Sequence, residues 1–448
     1  MRKKKNVLII GAAGRDFHNF NTYFRGKEEY NVVGFTGAQI PGITDKKYPP
    51  ELAGDLYPEG IQIYAEGELP RLIKELNVDT CVFSYSDVPY QHVMGVGAIV
   101  NAAGSNYMML GPRDTMLKSK KPVIAVCAVR TGAGKSQTSR RVIELLMERG
   151  LKVVAVRHPM PYGDLIAQKV QRFAELEDLE RHNCTIEEME EYEPHVVRGN
   201  VIYAGVDYQA ILAAAEEDPK GCDVIVWDGG NNDFSFFKPD LMITVADPHR
   251  PGHELSYYPG EICLRTADVV VINKIDSANL ANVQKVRESI AKANPDATVV
   301  EANSPIRVDN PEVIKGKRVL VIEDGPTLTH GGMKYGAGTV AAQQYGAIEL
   351  VDPRSYTVGS ITEVFKRYPD IGVLLPAMGY DQQQLKDLEE TINKVDCDGV
   401  VVGTPINLSN IINIKKPNTR VYYELQEIGT PNLSEILSEF VKSHNLPI

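Results

Sequence analysis

The chain has 448 residues, 48 Lys and Arg against 59 Asp and Glu, a net charge of −11 and 43% hydrophobic residues. At ordinary domain sizes this length makes about two to four domains, each large enough to bury a core, which excludes wholesale disorder. The acidic balance excludes a general nucleic-acid binder, which needs a basic footprint, but not an anionic ligand held by a local cluster of Arg, Lys and backbone amides.

The start, Met1 to Lys5, is basic, but the apolar run after it, Val7 to Ile10, ends at Gly11. A secretory segment needs about 7–15 apolar residues and a membrane helix about 20. A cytoplasmic chain with no membrane partner is therefore expected. Six cysteines (Cys81, Cys127, Cys184, Cys222, Cys263 and Cys397) are scattered without a CxxC spacing and read as reduced thiols.

Short apolar runs then alternate with amphipathic stretches. Val7 to Ile10, Asn31 to Phe35 and Thr80 to Ser84 read as strands, with helical stretches at Asn19 to Arg25 and Pro70 to Leu76. Continuous apolar strands in a βαβ rhythm predict a parallel sheet covered on both faces. The glycine turn Gly11-Ala-Ala-Gly14 ends the first strand but lacks the full GxGxxG pattern. A basic hinge at Lys118 to Pro122 precedes a new series of strands, Val123 to Val129 through Thr298 to Glu301. The acidic run Glu187 to Glu191 reads as a solvated helix face. A last series begins near Arg318 to Ile322 and closes with the helix Leu433 to Lys442. The reading is α/β in three parts: a Rossmann-like N-terminal domain (1–118), a P-loop NTPase core (119–316) and a C-terminal α/β region (317–448).

The sharpest local signal is the strand Val123 to Val129 running into Arg130-Thr131-Gly132-Ala133-Gly134-Lys135-Ser136 and then a helix from Gln137. Glycines let backbone N–H groups converge on phosphate oxygens, and the helix N-terminus adds a positive dipole. Lys135 would reach the β- and γ-phosphates, and the Ser136 hydroxyl would take Mg²⁺. The usual first glycine of GxxxxGK[ST] is Val129 here, and Arg130 supplies a second basic group. Asp228 ends the strand Asp223 to Trp227, where a carboxylate holds Mg²⁺, usually through water. Asn273-Lys274-Ile275-Asp276 follows another strand. Asp276 can accept from guanine N1 and N2, and Lys274 can cover the base. Asn303-Ser304 sits where a further loop would back the base.

On these residues the middle of the chain resembles the P-loop class that includes dethiobiotin synthetase, MinD-type ATPases and metal-delivery GTPases. With Gly11 to His18, Ala128 to Ser136, Trp227 to Gly230 and Asn273 to Asp276 together, most of the chain is similar to the cyclic 2,3-diphosphoglycerate synthetase family and related predicted GTPases. The resemblance implies ATP (GTP being possible, given Asn273 to Asp276), Mg²⁺, a small anionic phosphorylated substrate, and a homodimer. The implied reaction closes an intramolecular phosphoanhydride in 2,3-bisphosphoglycerate after phosphoryl activation, with Lys135, Arg130, Ser136 and Asp228 stabilising the transferring group. The alternative is a GTPase switch or a metal-delivery or maturation factor.

Loops at the carboxyl ends of other strands supply candidates for the acceptor. Asp247, His249 and Arg250 follow Leu241 to Val245. Arg157 and His158 follow Val153 to Val156. Gly14, Arg15 and His18 follow the first strand. Arg forks suit phosphate or carboxylate, and His can move a proton. The segment Glu323 to Gly332 is a possible cover, and Gly403 to Asn407 a possible neighbour of the base.

Overall fold

The structure, a computed structural model, describes residues 4–38, 43–158, 163–230, 233–325, 328, 334–378 and 382–447. It is mixed α/β and built on three main sheets, mostly parallel. The first sheet runs Lys47–Tyr48, Ile61–Ala65, Tyr30–Gly37, Lys5–Ile10, Thr80–Phe83, Asn106–Met109, parallel except for its first short strand. Strand order reverses between Tyr30–Gly37 and Thr80–Phe83 on either side of Lys5–Ile10. That places Gly11 and the residues after it at a switch point.

The central sheet has nine strands. Their order is Gln171–Phe173, Val201–Ala204, Val153–Arg157, Val224–Gly229, Val123–Ala128, Leu241–Ala246, Val269–Ile272, Thr298–Asn303 and Gln426–Glu427, with both outermost pairs antiparallel. Strand Val123–Ala128 lies mid-sheet and is buried on both faces, as its unbroken apolar run requires. Ile124, Val126 and Ala128 pack into the core under helix Lys135–Met147, while Val123, Ala125 and Cys127 pack into the opposite core with Trp227 and Phe236. Each large aliphatic side chain so buried contributes about 1.5–3 kcal/mol.

The third sheet joins Ile306–Val308, Asn418–Tyr423, Gly399–Gly403, Arg318–Asp324 and Glu349–Leu350, with Leu375–Ala377 also on Arg318–Asp324. The chain crosses between the second and third sheets more than once. Ile306–Val308 already belongs to the third, whereas Gln426–Glu427 returns to the second, and helix Leu433–Ser443 packs its Leu433, Leu437 and Phe440 into the central core. The six cysteines are free thiols. Among the described residues, no helix is long and apolar enough to cross a membrane.

Candidate active site

The loop after Val123–Ala128 is shaped by two left-handed glycines, Gly132 (φ 80°) and Gly134 (φ 112°). A Cβ on Gly134 would stand 2.0 Å from Asn273 Nδ2, so only glycine fits. Helix Lys135–Met147 starts directly after it. The loop is braced from behind. Asn273 Nδ2 donates to the Ala133 carbonyl at 3.0 Å, Lys274 Nζ to the Gly132 carbonyl at 2.5 Å, and Arg250 Nη2 to the Thr131 carbonyl at 2.7 Å. Arg250 is itself fixed by Asp247 at 2.7 Å. Burial alone would raise the Asp247 carboxyl, but Lys274 and Arg250 bring it down to about 2.

Asp228 is the hub of the site. Lys135 Nζ donates to its Oδ1 at 2.9 Å and to its backbone carbonyl. Ser139 also donates to Oδ1, while Arg157 Nη1 (2.9 Å) and His195 Nε2 (3.1 Å) meet Oδ2. Burial opposes ionisation here, yet Lys135, Arg157 and His195 overcome it and hold the carboxyl well below the ordinary range. The Lys135 ammonium is pushed down by burial and by Arg157, against the pull of Asp228. Arg157 also bridges to Glu191 at 2.5 Å.

These groups line a cavity of about 600 Å³. Arg130, Thr131, Gly132, Gly134, Lys135, Ser136, Gln137, Arg157, Asp228, His249, Lys274 and Asp276 all face it. Ala133 is buried in the loop, and Asn273, Arg250 and Asp247 support the loop from outside the cavity. His249 Nε2 lies 3.0 Å from Ser277 Oγ. Asn303 belongs to a strand and pairs with Gln426; its neighbour Ser304 is the one that lines the cavity, bonded to Gln137 and to Asp276. Gly403 and Pro405 reach the cavity from the third sheet. Of the segment after Glu323, residues 326–327 and 329–333 lie outside the described residues.

The remaining predicted substrate residues lie elsewhere. His158 points away from Arg157, packed so tightly that a Cβ on Gly14 or Gly230 would meet it at 2.7 or 2.4 Å. Arg15 pairs with Asp233 and lies 3.5 Å over the Phe234 ring. His18 stacks on Phe236 at 4.0 Å and meets the Thr115 carbonyl at 2.6 Å; burial and the nearby Arg15 lower its pKa to about 3. The amides of Ala13 and Gly14 donate to Asp16 Oδ1 at 2.7 and 3.0 Å, so the turn's donors are bound by the chain's own carboxylate. Beyond the first sheet's strand Thr80–Phe83, Asp87 meets the glycine loop through its ion pair with Arg130 at 2.6 Å, and Arg130 also lies 3.7 Å over Tyr257.

The structure corrects the reading of the acidic run. Helix Ile186–Val196 starts at a Thr185–Glu188 capping box, and Glu187, Glu188 and Glu190 are buried rather than solvated. The helix packs between the central sheet and the end of strand Arg318–Asp324. It brings His195 and Glu191 to the hub and Glu190 to the cavity wall. Glu323 and Asp324 line the same region. Glu323 accepts from the amides of Gly336, Gly338 and Thr339 at 2.7–3.1 Å and so anchors helix Ala337–Gln344. The cavity is thus basic at the glycine loop and acidic toward the third sheet.

Ser136 and Asp228 line the basic end with oxygen atoms, the donors a hard cation prefers, and Asp228 would exchange one of its present partners, Lys135, Ser139, Arg157 or His195, to take one. Among the described residues no group of three or more His, Cys, Asp or Glu is arranged to hold a metal by itself.

No family model matches the chain. Arginine synthetase ArcE of Thermococcus kodakarensis is 62% identical over 442 residues, which cover 99% of this chain and 98% of the relative. The chain belongs to the arginine synthetase ArcE family. It is a synthetase. Among solved structures, LpxK of Aquifex aeolicus in complex with ATP superposes with a TM-score of 0.43 at 12% identity, over 78% of this chain and 95% of LpxK. That likeness is too loose to bear on the site.

Proposed function

We propose that the chain is an ATP-dependent synthetase that forms arginine. The observation that carries this is the full-length identity to an enzyme named for that product, in a chain whose glycine loop opens onto a cavity with room for a second substrate. Building a guanidino group from a ureido group requires turning a poor leaving group, the ureido oxygen, into a good one. In this reading the ureido oxygen of the acceptor takes the γ-phosphoryl of ATP, releasing ADP. Ammonia then attacks the carbon, the C–O bond breaks, inorganic phosphate leaves, and a guanidinium remains.

The loop amides and Lys135 would hold the phosphates, with Arg157 and Arg130 offering further positive charge as the phosphoryl group moves. Ser136 and Asp228 would hold Mg²⁺, which neutralises phosphate charge when bound. Asn273, Lys274 and Arg250 keep the loop rigid. The N-terminal sheet is read as Rossmann-like (1–118), the middle as a P-loop NTPase core (119–316) and the remainder as a C-terminal α/β region (317–448), with a homodimer and a cytoplasmic setting as further expectations. The resemblance noted above implies 2,3-bisphosphoglycerate as acceptor. The Glu190 and Asp324 carboxyl groups on the cavity wall suit a donor-rich, cationic group better than so anionic a molecule.

The test measures ATP and GTP consumption with ammonium plus the ureido analogue of arginine, with 2,3-bisphosphoglycerate, and with neither. Arginine formation coupled to ATP loss is expected. A cyclic phosphoanhydride product, or GTP turnover indifferent to both acceptors, would replace the arginine reading by the synthetase or switch alternative. Lys135→Ala should abolish turnover; an active variant would remove the glycine loop from the mechanism.

A further inference from the structure

Two carboxyl groups meet at the acidic end of the cavity. Glu190, from helix Ile186–Val196, is 5% exposed and hydrogen-bonds Asp324, from the end of strand Arg318–Asp324. Both line the cavity, yet Glu190 Oε1 has no hydrogen-bond partner. A buried carboxyl oxygen left unpaired is destabilising unless something binds there. Two carboxyls in contact can share one proton or hold one cation between them. A protein-held metal is not favoured, since no cluster of three or more ligating side chains is present among the described residues.

The pair also stands next to the reaction centre. Glu191, the following residue, is paired with Arg157, which binds Asp228, which binds Lys135. His195, one turn further along the same helix, also meets Asp228. One short helix therefore places the carboxyl pair and the phosphate-site residues in a fixed relation.

Building on the arginine reading, we propose that Glu190 and Asp324 form the guanidinium subsite of this enzyme. The planar cation of arginine docks edge-on between them, with N–H groups donating to Glu190 Oε1 and to the Asp324 carboxylate. A fork of donors against paired carboxylates is the geometry guanidinium prefers, and a proton held between the pair leaves to solvent as the cation enters. Burial and the neighbouring Asp324 keep the Glu190 carboxyl well above its ordinary range, consistent with a group that waits for a cation.

The experiment uses the full chain and calorimetric titration with L-arginine, with the α-deamino analogue of arginine, and with ATP. The variants are Glu190→Gln and Asp324→Asn. Each keeps the size of a protonated carboxyl, and Asp324 sits in a half-buried position, so that a folded Asp324→Asn carries the test if Glu190→Gln misfolds. Arginine and its deamino analogue should both bind about tenfold to a hundredfold more weakly to the variants, with ATP affinity unchanged. Equal arginine affinity in wild type and variants would overturn the subsite and leave the arginine reading intact. A variant effect on arginine but not on the deamino analogue would overturn it too, because the pair would then be reading the α-ammonium. If wild type binds ATP but never arginine, with or without nucleotide, the functional reading itself falls, and the subsite with it.

Discussion

Asp228→Asn isolates the charge at the centre of the site. In the wild type one buried carboxylate faces Lys135, Arg157 and His195. Arg157 keeps Glu191 as a second partner, but among the described residues Lys135 forms no other ion pair and would be left a buried, uncompensated cation. Removing one member of such a pair typically destabilises by about 3–5 kcal/mol. The chain has a single tryptophan, Trp227, fully buried beside Asp228 in the central sheet, so its fluorescence in urea reports on this unit alone. With a slope of about 3 kcal/mol/M for a unit of this size, the midpoint should fall by about 1–2 M. Phosphate groups can take over the lost charge. ATP, or inorganic phosphate at high concentration, should therefore restore more of the variant's stability than it adds to the wild type. A ligand-free midpoint within about 0.3 M of wild type, or equal stabilisation of both proteins by phosphate, would refute the view that Asp228 is held there by charge balance.

Gly134→Ala should weaken ATP binding by about tenfold to a hundredfold, because the new methyl group meets Asn273 at 2.0 Å in a left-handed backbone. Titration calorimetry measures it, and normal affinity would show that the loop is not held in the shape described. Asp247 gives a pH signature. Its folded value of about 2 lies below its ordinary 3.8, so its contribution is present above pH ~4 and is lost as pH falls through about 2. That contribution is worth about 2 kcal/mol. Asp247→Asn should flatten the fall of stability between about pH 4 and 2 in urea titrations; an unchanged slope would mean that Arg250 and Lys274 do not hold an ionised Asp247.

The elements that follow from local pattern were legible in the sequence. Val123 to Val129 reads as a strand because it is an unbroken apolar run, and the glycines after it mark a turn that only glycine can make. Asp228 stands out because a lone carboxylate ends an apolar strand after such a loop. What was not legible depends on packing between distant segments. Glu187 to Glu191 is a charge run, and a single sequence gives no sign that the third sheet covers it; the Thr185–Glu188 capping box signals the helix but not its burial. His195 reaches Asp228 only because that helix is laid across the central sheet. Arg157 and His158 look like one site on paper, yet adjacent side chains at a strand end leave in opposite directions, one to the cavity and one toward Gly14. Gly14, Arg15 and His18 carry the residue types of a ligand site, but their partners are Asp16, Asp233 and Phe236 from the protein itself.

The bridge between Arg157 and Glu191 couples the two ends of the cavity. Arg157 is shared between Asp228 on the phosphate side and Glu191 on the acidic side. Phosphates arriving at the glycine loop compete for Arg157 and loosen its hold on Glu191, which leaves the acidic end more negative and more receptive to a cation. A cation bound there offers Glu191 an alternative partner and leaves Arg157 to the phosphates. Linkage makes the two effects equal: if ATP tightens arginine binding by some factor, arginine tightens ATP binding by the same factor. A coupling of about 1–2 kcal/mol, roughly fivefold to thirtyfold, is the expected size for one shared ion pair. Titrating arginine with and without a non-hydrolysable ATP analogue, and the analogue with and without arginine, measures both arms. Glu191→Gln should reduce both arms together while leaving arginine affinity in the absence of nucleotide within about threefold. Independent binding in the wild type would mean that Arg157 serves one end of the cavity alone.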